Sequence, residues 1–194
     1  MAFEIELKAR LDDYEPVKER LFSLGKYLRS YQKSDSYWFS DNTDSYGVRV
    51  RRDLGVDEGG VTAELTLVTY KLKEISGGIE INDENEFSVS DAAVFEQLLE
   101  RLGLQKAIQK KKSGWAWAIT ADQSETQPEI LAELSMVTGL GWFLELEIIC
   151  ADNRGQTVED SRKRLFALLE RLEIPADRIE SRPYTELLKE VVSG

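Results

Sequence analysis

Residues 4–8 read Glu4-Ile5-Glu6-Leu7-Lys8, and residues 144–147 read Leu144-Glu145-Leu146-Glu147. In a β-strand successive side chains point to opposite faces, so each stretch sets its charges on one face and its aliphatics on the other. Phe3, Ile5 and Leu7 form one apolar face, and Leu144, Leu146 and Ile148 the other. One such strand is ordinary. Here the pattern returns, each time with like charges two residues apart: Arg49 and Arg51, Lys71 and Lys73, Glu84 and Glu86, Lys110 and Lys112. An antiparallel sheet with one wet face accommodates any one of these pairs. All of them together fit it poorly, because like charges side by side are unfavourable without a counter-ion. Closing the sheet into a barrel of about eight strands turns the charged faces toward each other and the apolar faces outward. The predicted fold is therefore α+β: an eight-stranded antiparallel β-barrel with peripheral α-helices packed on its outside.

The composition narrows the chemistry. A chain of 194 residues with 42% hydrophobic and 31% charged residues is that of a globular protein, read as one domain over residues 1–194. No apolar run approaches the roughly 18 residues that span a membrane. The opening Met1-Ala2-Phe3-Glu4 has neither the basic nor the apolar region of a secretory signal. Cys150 stands alone, which excludes an intramolecular disulfide and fits a reducing cytosol, so a cytoplasmic protein is expected. A net charge of −11 argues against a general nucleic-acid binder, whose affinity rests on Lys and Arg at phosphates. A small anionic ligand stays open, since local charge placement decides that case. Histidine is absent. Ser-His-Asp and Cys-His catalysis, imidazole bases and His-based zinc sites are thereby removed. A metal here needs oxygen ligands, hence Mg²⁺, Mn²⁺ or Ca²⁺.

Along the chain, a strand is expected at about 2–10. A helix follows from Pro16 to Leu24, with Asp12 and Asp13 before it and Gly25 after it. Strands follow at about 34–40 and 45–53. Asp57-Glu58-Gly59-Gly60 and Ser76-Gly77-Gly78 read as turns, with a strand at 79–89 beyond the second. Ser90-Asp91 caps a helix of about 92–102 that stops at Gly103. Separate strands are expected at 106–112 and 114–121, a loop at 122–130, and strands at 131–137 and 142–150. Thr157 or Asp160 opens a long amphipathic helix ended by Pro175, and a last helix starts near Pro183.

In the barrel reading the lining carries Glu4, Glu6, Glu84, Glu86, Glu145 and Glu147 against Lys8, Arg49, Arg51, Lys71, Lys73, Lys110 and Lys112. Burying that many ions costs several kcal/mol each unless they pair or coordinate something. A wet tunnel holding a metal ion and a polyphosphate removes most of that cost. Carboxylates suit divalent cations, and Lys and Arg suit phosphate oxygens, Arg in bidentate fashion.

The same residues resemble a known group, the CYTH superfamily or triphosphate tunnel metalloenzymes. It contains class IV adenylyl cyclases, thiamine triphosphatases and inorganic triphosphatases. The opening Glu4-x-Glu6-x-Lys8 resembles the family signature. Tyr37-Trp38-Phe39 resembles its second strand, Arg49-x-Arg51 its Arg-x-Arg strand, and Thr69-Tyr70-Lys71 its Thr-x-Lys strand. Glu84 and Glu86 resemble the central Glu-x-Glu, and Lys110 and Lys112 the later basic strand. The block from Val137 to Glu147 is similar to Leu-Gly-x-Phe-x-Glu-x-Glu, and Tyr184-Thr185-Glu186-Leu187-Leu188 to the C-terminal Tyr-x-x-Leu-Leu. Three positions depart. Asn82 stands where the family often has Arg, Ser135 where class IV cyclases often have Asp near the metal, and Lys112 where Arg is common.

The resemblance implies a tunnel enzyme for a small-molecule triphosphate, with Mg²⁺ or Mn²⁺, no nucleic-acid or membrane partner, and a homodimer left open. Glu4, Glu6, Glu145 and Glu147 are then the metal ligands. Arg49, Arg51, Lys71, Lys73, Lys110 and Lys112 bind phosphate oxygens, Lys73 being the one also readable as a solvent-facing strand end. Lys8, Glu84 and Glu86 join the catalytic set. Tyr37 and Trp38 read as wall or core residues rather than a base-stacking pair. The activity placed first is that of a class IV adenylyl cyclase, forming cyclic AMP and pyrophosphate from ATP. A triphosphatase acting on thiamine triphosphate, a nucleoside triphosphate or tripolyphosphate is the alternative. A binding module without chemistry is the third.

Overall fold

The computed structural model describes residues 2–40, 43–76, 79–120, 128–150 and 154–193. Eight strands close into an antiparallel barrel: β1 (Ala2–Leu11), β2 (Lys26–Ser40), β3 (Thr43–Asp57), β4 (Gly60–Ser76), β5 (Ile79–Ser88), β6 (Gln105–Ile119), β7 (Ile130–Val137) and β8 (Gly141–Cys150). Around the ring the order is β1-β5-β4-β3-β2-β6-β7-β8, and β8 pairs with β1 to close it. Closure overturns the alternative of a half-open sheet with a wet charged face.

Helices α1 (Glu15–Leu24), α2 (Ala92–Arg101), α3 (Gly155–Arg171) and α4 (Tyr184–Ser193) lie around the barrel. α1 begins with Pro16 in its first turn, and Asp13 Oδ1 accepts from the Glu15 amide at 3.0 Å. Asp91 caps α2, accepting from the amides of Ala93 and Val94 at 2.8 and 3.1 Å. α3 starts at Gly155, ahead of the Thr157 or Asp160 start expected, and has no side-chain cap. It ends at Arg171, four residues before Pro175, which opens a short 3-10 turn over Ala176–Arg178.

The register turns one face of every strand outward. Ile5 and Leu7 of β1, Leu134 of β7, and Leu144, Leu146 and Ile148 of β8 pack with Val17 and Leu21 of α1 and Leu165, Leu168 and Leu169 of α3. Each fully buried Leu or Ile here is worth about 1.5–3 kcal/mol of apolar transfer. Trp38 and Val50 form a second outer cluster with Ala92 and Leu99 of α2. Trp38 is thus core, as read. A third cluster lies on the inner face, where Val137 and Phe143 meet Tyr184 and Leu187 of α4.

Two strand expectations are corrected. β2 starts at Lys26, directly after α1, rather than near residue 34. Residues 106–112 and 114–121 are not two strands but one, β6 over Gln105–Ile119. Gly114, within that strand, lies where β7 passes close to its backbone. A Cβ there would lie 2.0 Å from the Leu134 carbonyl oxygen and 2.7 Å from the Ser135 Cα. Gly77 and Gly78 of the expected turn, and residues 121–127 of the expected loop, lie outside the described residues. Among the described residues no helix is long and apolar enough to cross a membrane.

Candidate active site in the barrel lumen

The inner faces enclose a cavity of about 500 Å³. Glu4, Glu6, Lys8, Arg49, Arg51, Glu86, Lys110, Lys112, Glu145 and Glu147, all expected site residues, line it. Tyr37 also lines it, as a wall residue. Lys71, Lys73 and Glu84 sit on β4 and β5, where Lys71 pairs with Glu84 and Lys73 with Asn82. The side chains of Lys71, Lys73 and Glu84 lie outside the described part of the structure.

β2 supplies the middle of one wall. Asp35 lies directly opposite Arg51 on β3 and directly opposite Lys110 on β6. Its carboxylate accepts from Arg51 Nε at 2.8 Å and Nη2 at 2.9 Å, and pairs with Lys110 Nζ at 3.0 Å. Burial would raise the Asp35 carboxyl, but Arg51 and then Lys110 outweigh it and hold the carboxyl well below the usual carboxylate range.

Farther along β2, Lys33 Nζ donates to Glu133 of β7. Lys112 donates to Glu133 at 2.9 Å and also to Glu145, while the Tyr31 hydroxyl donates to Glu133 at 3.1 Å. Burial likewise works against the Glu133 carboxylate, yet Lys112 and Lys33 keep it well below its ordinary value. Glu145 is held at about 2, because Lys112 and Lys110 outweigh burial. Lys33 is lowered to about 8, since burial exceeds what Glu133 returns.

The neighbouring wall is looser. Arg49 Nη2 donates to Thr69 Oγ1 at 2.8 Å, and Thr69 Oγ1 donates to Glu86 at 3.0 Å. Arg49 lies 3.6 Å from that same Glu86, whose side chain is 37% exposed. At one mouth Arg29 grips Asp53 through two bonds of 2.9 and 2.7 Å.

The β1–β8 wall is built differently. Glu6 stands directly opposite Glu147, and Lys8 directly opposite Glu145. Lys8 Nζ donates to the Arg182 carbonyl at 2.7 Å and lies 4.6 Å from the centre of the Tyr184 ring, so the C-terminal segment orients it. Like charges directly opposite on paired strands are destabilising, and a cation between them removes the penalty. Among the described residues no three carboxylates gather closely enough to form a cage of their own. A divalent cation can be held by one or two carboxylates and completed by substrate phosphates. Glu6 and Glu147, with Glu4 on the same strand face, are the residues that would hold one here.

Sequence reasoning missed the groups that pair with one another and with the site cations on the opposite wall: Lys33, Asp35, Asp53, Glu133, Arg29 and the hydroxyl of Tyr31. None of them belongs to a like-charge pair two residues apart. Lys33-x-Asp35 alternates in sign, and Glu133 is a lone charge within an apolar strand. A lone acid on the inner parity of a strand as apolar as β7 was the available signal.

A closed eight-stranded barrel with carboxylates and cations alternating through its lumen defines the triphosphate-tunnel class of fold. The CYTH domain model matches residues 2–184, and the chain belongs to that family. It is 27% identical over 191 residues to a Methanocaldococcus jannaschii protein named as a candidate adenylate cyclase, covering 95% of this chain and 97% of the relative. A Pyrococcus horikoshii protein of known structure superposes with a TM-score of 0.78 at 23% identity, over 96% of this chain and 98% of that one. A Hippeastrum protein, described as a candidate adenylyl cyclase with a dominant triphosphatase activity, superposes at 0.64 with 14% identity, over 94% and 91%. These two structures speak for the fold.

Proposed function

We propose that this protein binds a small-molecule triphosphate with Mg²⁺ or Mn²⁺ in the lumen and converts ATP to cyclic AMP and pyrophosphate. The observation that carries the reading is the opposition of two walls. Arg51 and Lys110 stand beside Asp35, on β3 and β6, while Glu6 and Glu147 stand on the paired strands β1 and β8, beyond β7 in the ring. Between them lies about 500 Å³, within the range of small-molecule pockets. A triphosphate spanning that space meets cations on one side and an acidic pair on the other.

Arg49, Arg51, Lys110 and Lys112 neutralise the phosphate oxygens, with Lys71 and Lys73 extending the row on β4. Phosphoryl and nucleotidyl transfer depend chiefly on this kind of positioning and charge stabilisation. Glu6 and Glu147, with Glu4 and Glu145 beside them, would hold a divalent cation, which would supply Lewis-acid activation of the attacking hydroxyl. Lys8, fixed by the Arg182 carbonyl and the Tyr184 ring, neutralises charge next to that acidic pair. Glu86, which lines the cavity from β5, and Glu84 of the same strand are assigned to orienting the reacting end. The cyclase is placed ahead of a hydrolase because the M. jannaschii relative matches over nearly the full length of both chains. A triphosphatase is the second reading, favoured by the activity described for the Hippeastrum protein on the same fold.

The test is incubation of the pure protein with Mg²⁺ or Mn²⁺ and, in turn, ATP, thiamine triphosphate and tripolyphosphate. Cyclic AMP with stoichiometric pyrophosphate is the expected result. Orthophosphate without cyclic nucleotide would replace the cyclase with the hydrolase. Binding without product would leave a polyphosphate-binding module.

A further inference from the structure

Asp35 is the most deeply enclosed charge near the lumen, its side chain 0% exposed, and it does not line the cavity. Its two partners do: Arg51 and Lys110 form the wall, and Asp35 lies behind them. We propose that Asp35 is a positioning residue that fixes Arg51 and Lys110 as a two-cation clamp for one phosphate group of the substrate. The inference rests on the reading of Arg51 and Lys110 as phosphate contacts.

The register starts the argument. Asp35 has Arg51 directly across on one side and Lys110 directly across on the other, so one carboxylate reaches both without a change of strand geometry. The guanidinium is planar and its N–H groups are fixed in a fork. With Nε and Nη2 both bound at 2.8 and 2.9 Å, the whole plane is set, and Nη1 is the edge directed away from Asp35. Lys110 Nζ is held at 3.0 Å from the same carboxylate and lies 4.7 Å from the centre of the Tyr184 ring. One negative charge between two positive ones leaves the trio with a net charge of +1. The clamp therefore still attracts an anion while its two cations are kept from repelling each other apart. A more exposed carboxylate, such as Glu86 beside Arg49 at 37% exposure, can compete with a bound anion for the cations. A carboxylate with no exposure neither reaches the ligand nor leaves its partners.

The test measures Mg²⁺-tripolyphosphate binding by calorimetry in wild type, Asp35→Asn, Arg51→Ala and the double variant, with thermal unfolding on the same samples. Asp35→Asn is expected to weaken binding at least tenfold in folded protein. In the Arg51→Ala background the same change is expected to weaken binding by a clearly smaller factor than in wild type, because only Lys110 is then left for Asp35 to position. Wild-type affinity in Asp35→Asn, with Arg51→Ala weakened, overturns the inference alone. So does a full additive loss in the double variant, which would assign Asp35 a general structural role. Undiminished binding in Arg51→Ala overturns the phosphate-contact reading itself. If Asp35→Asn does not fold, Asp35→Glu decides. It keeps the charge but displaces the fork by a methylene, so a severalfold weaker affinity supports the positioning role and wild-type affinity overturns it.

Discussion

The two walls of the lumen solve the problem of buried charge in opposite ways. The buried carboxylates of β2 and β7 each sit between two cations: Asp35 between Arg51 and Lys110, Glu133 between Lys33 and Lys112. On β1 and β8 the register instead sets Glu6 against Glu147. The first wall is complete as folded and presents cations held in place. The second brings two carboxylates together across one strand pair. A triphosphate and its metal are the pair of ligands that would complete both, which is why the difference between the walls says more about function than either wall does.

The largest test of that contrast is Glu147→Gln. Turnover is expected to fall at least about a hundredfold, the scale of losing one group that stabilises transition-state charge. Thermal stability should stay level or rise by about 0.2–1 kcal/mol, since a like-charge cross-strand pair is removed. Loss of stability together with activity would show that this wall is structural. Glu133→Ala probes the opposite wall and should do the reverse. It leaves Lys33 and Lys112 buried with one fewer counter-ion, and removal of one partner from a buried pair costs about 3–5 kcal/mol. Unfolding by denaturant measures it, and an unchanged midpoint would break the picture of a pre-paired wall.

Acid sharpens the same comparison. The folded-state carboxyls of Asp35 and Glu133 lie below their ordinary values of 3.8 and 4.5, so the unfolded chain binds protons first as pH falls. The stability they contribute is full above those ordinary values and is lost as pH drops through and below them. Wild type is expected to lose stability over that window more steeply than Asp35→Asn does. Equal slopes in a pH series of thermal unfolding would contradict the ion pairing described. The smallest effect is expected for Thr69→Val. It removes the hydroxyl between Arg49 and Glu86, costs about 1 kcal/mol, and should raise KM more than it lowers kcat.

Particular elements show how much of this was legible in the primary structure. Alternation in Glu4–Lys8 and Leu144–Glu147, with charge doublets on later strands, pointed to a barrel with charges inside, and the ring closes that way. α1 and α2 were found from Pro16, Gly25 and Asp91, because caps and breakers act within a few residues. The continuity of β6 through Gly114 was not legible. The strand runs on because it pairs on both sides at that point, Gly114 standing opposite Tyr31 of β2 and Ser135 of β7, and nothing local to residues 105–119 records that.

The sequence by itself removed imidazole chemistry and an intramolecular disulfide, since it contains no histidine and a single cysteine. It also determined which face of each doublet-bearing strand is polar, since the side-chain period of a strand is two. The tertiary structure decided which charge neutralises which. Lys33 and Glu133 are 100 residues apart, and Lys8 and the Arg182 carbonyl 174. Such pairings follow from strand order and register, which depend on how the whole ring closes. The same holds for the division of the lumen into a paired wall and an acidic one: each strand is two-faced on its own, but only its neighbours determine whether a carboxylate meets a lysine or another carboxylate.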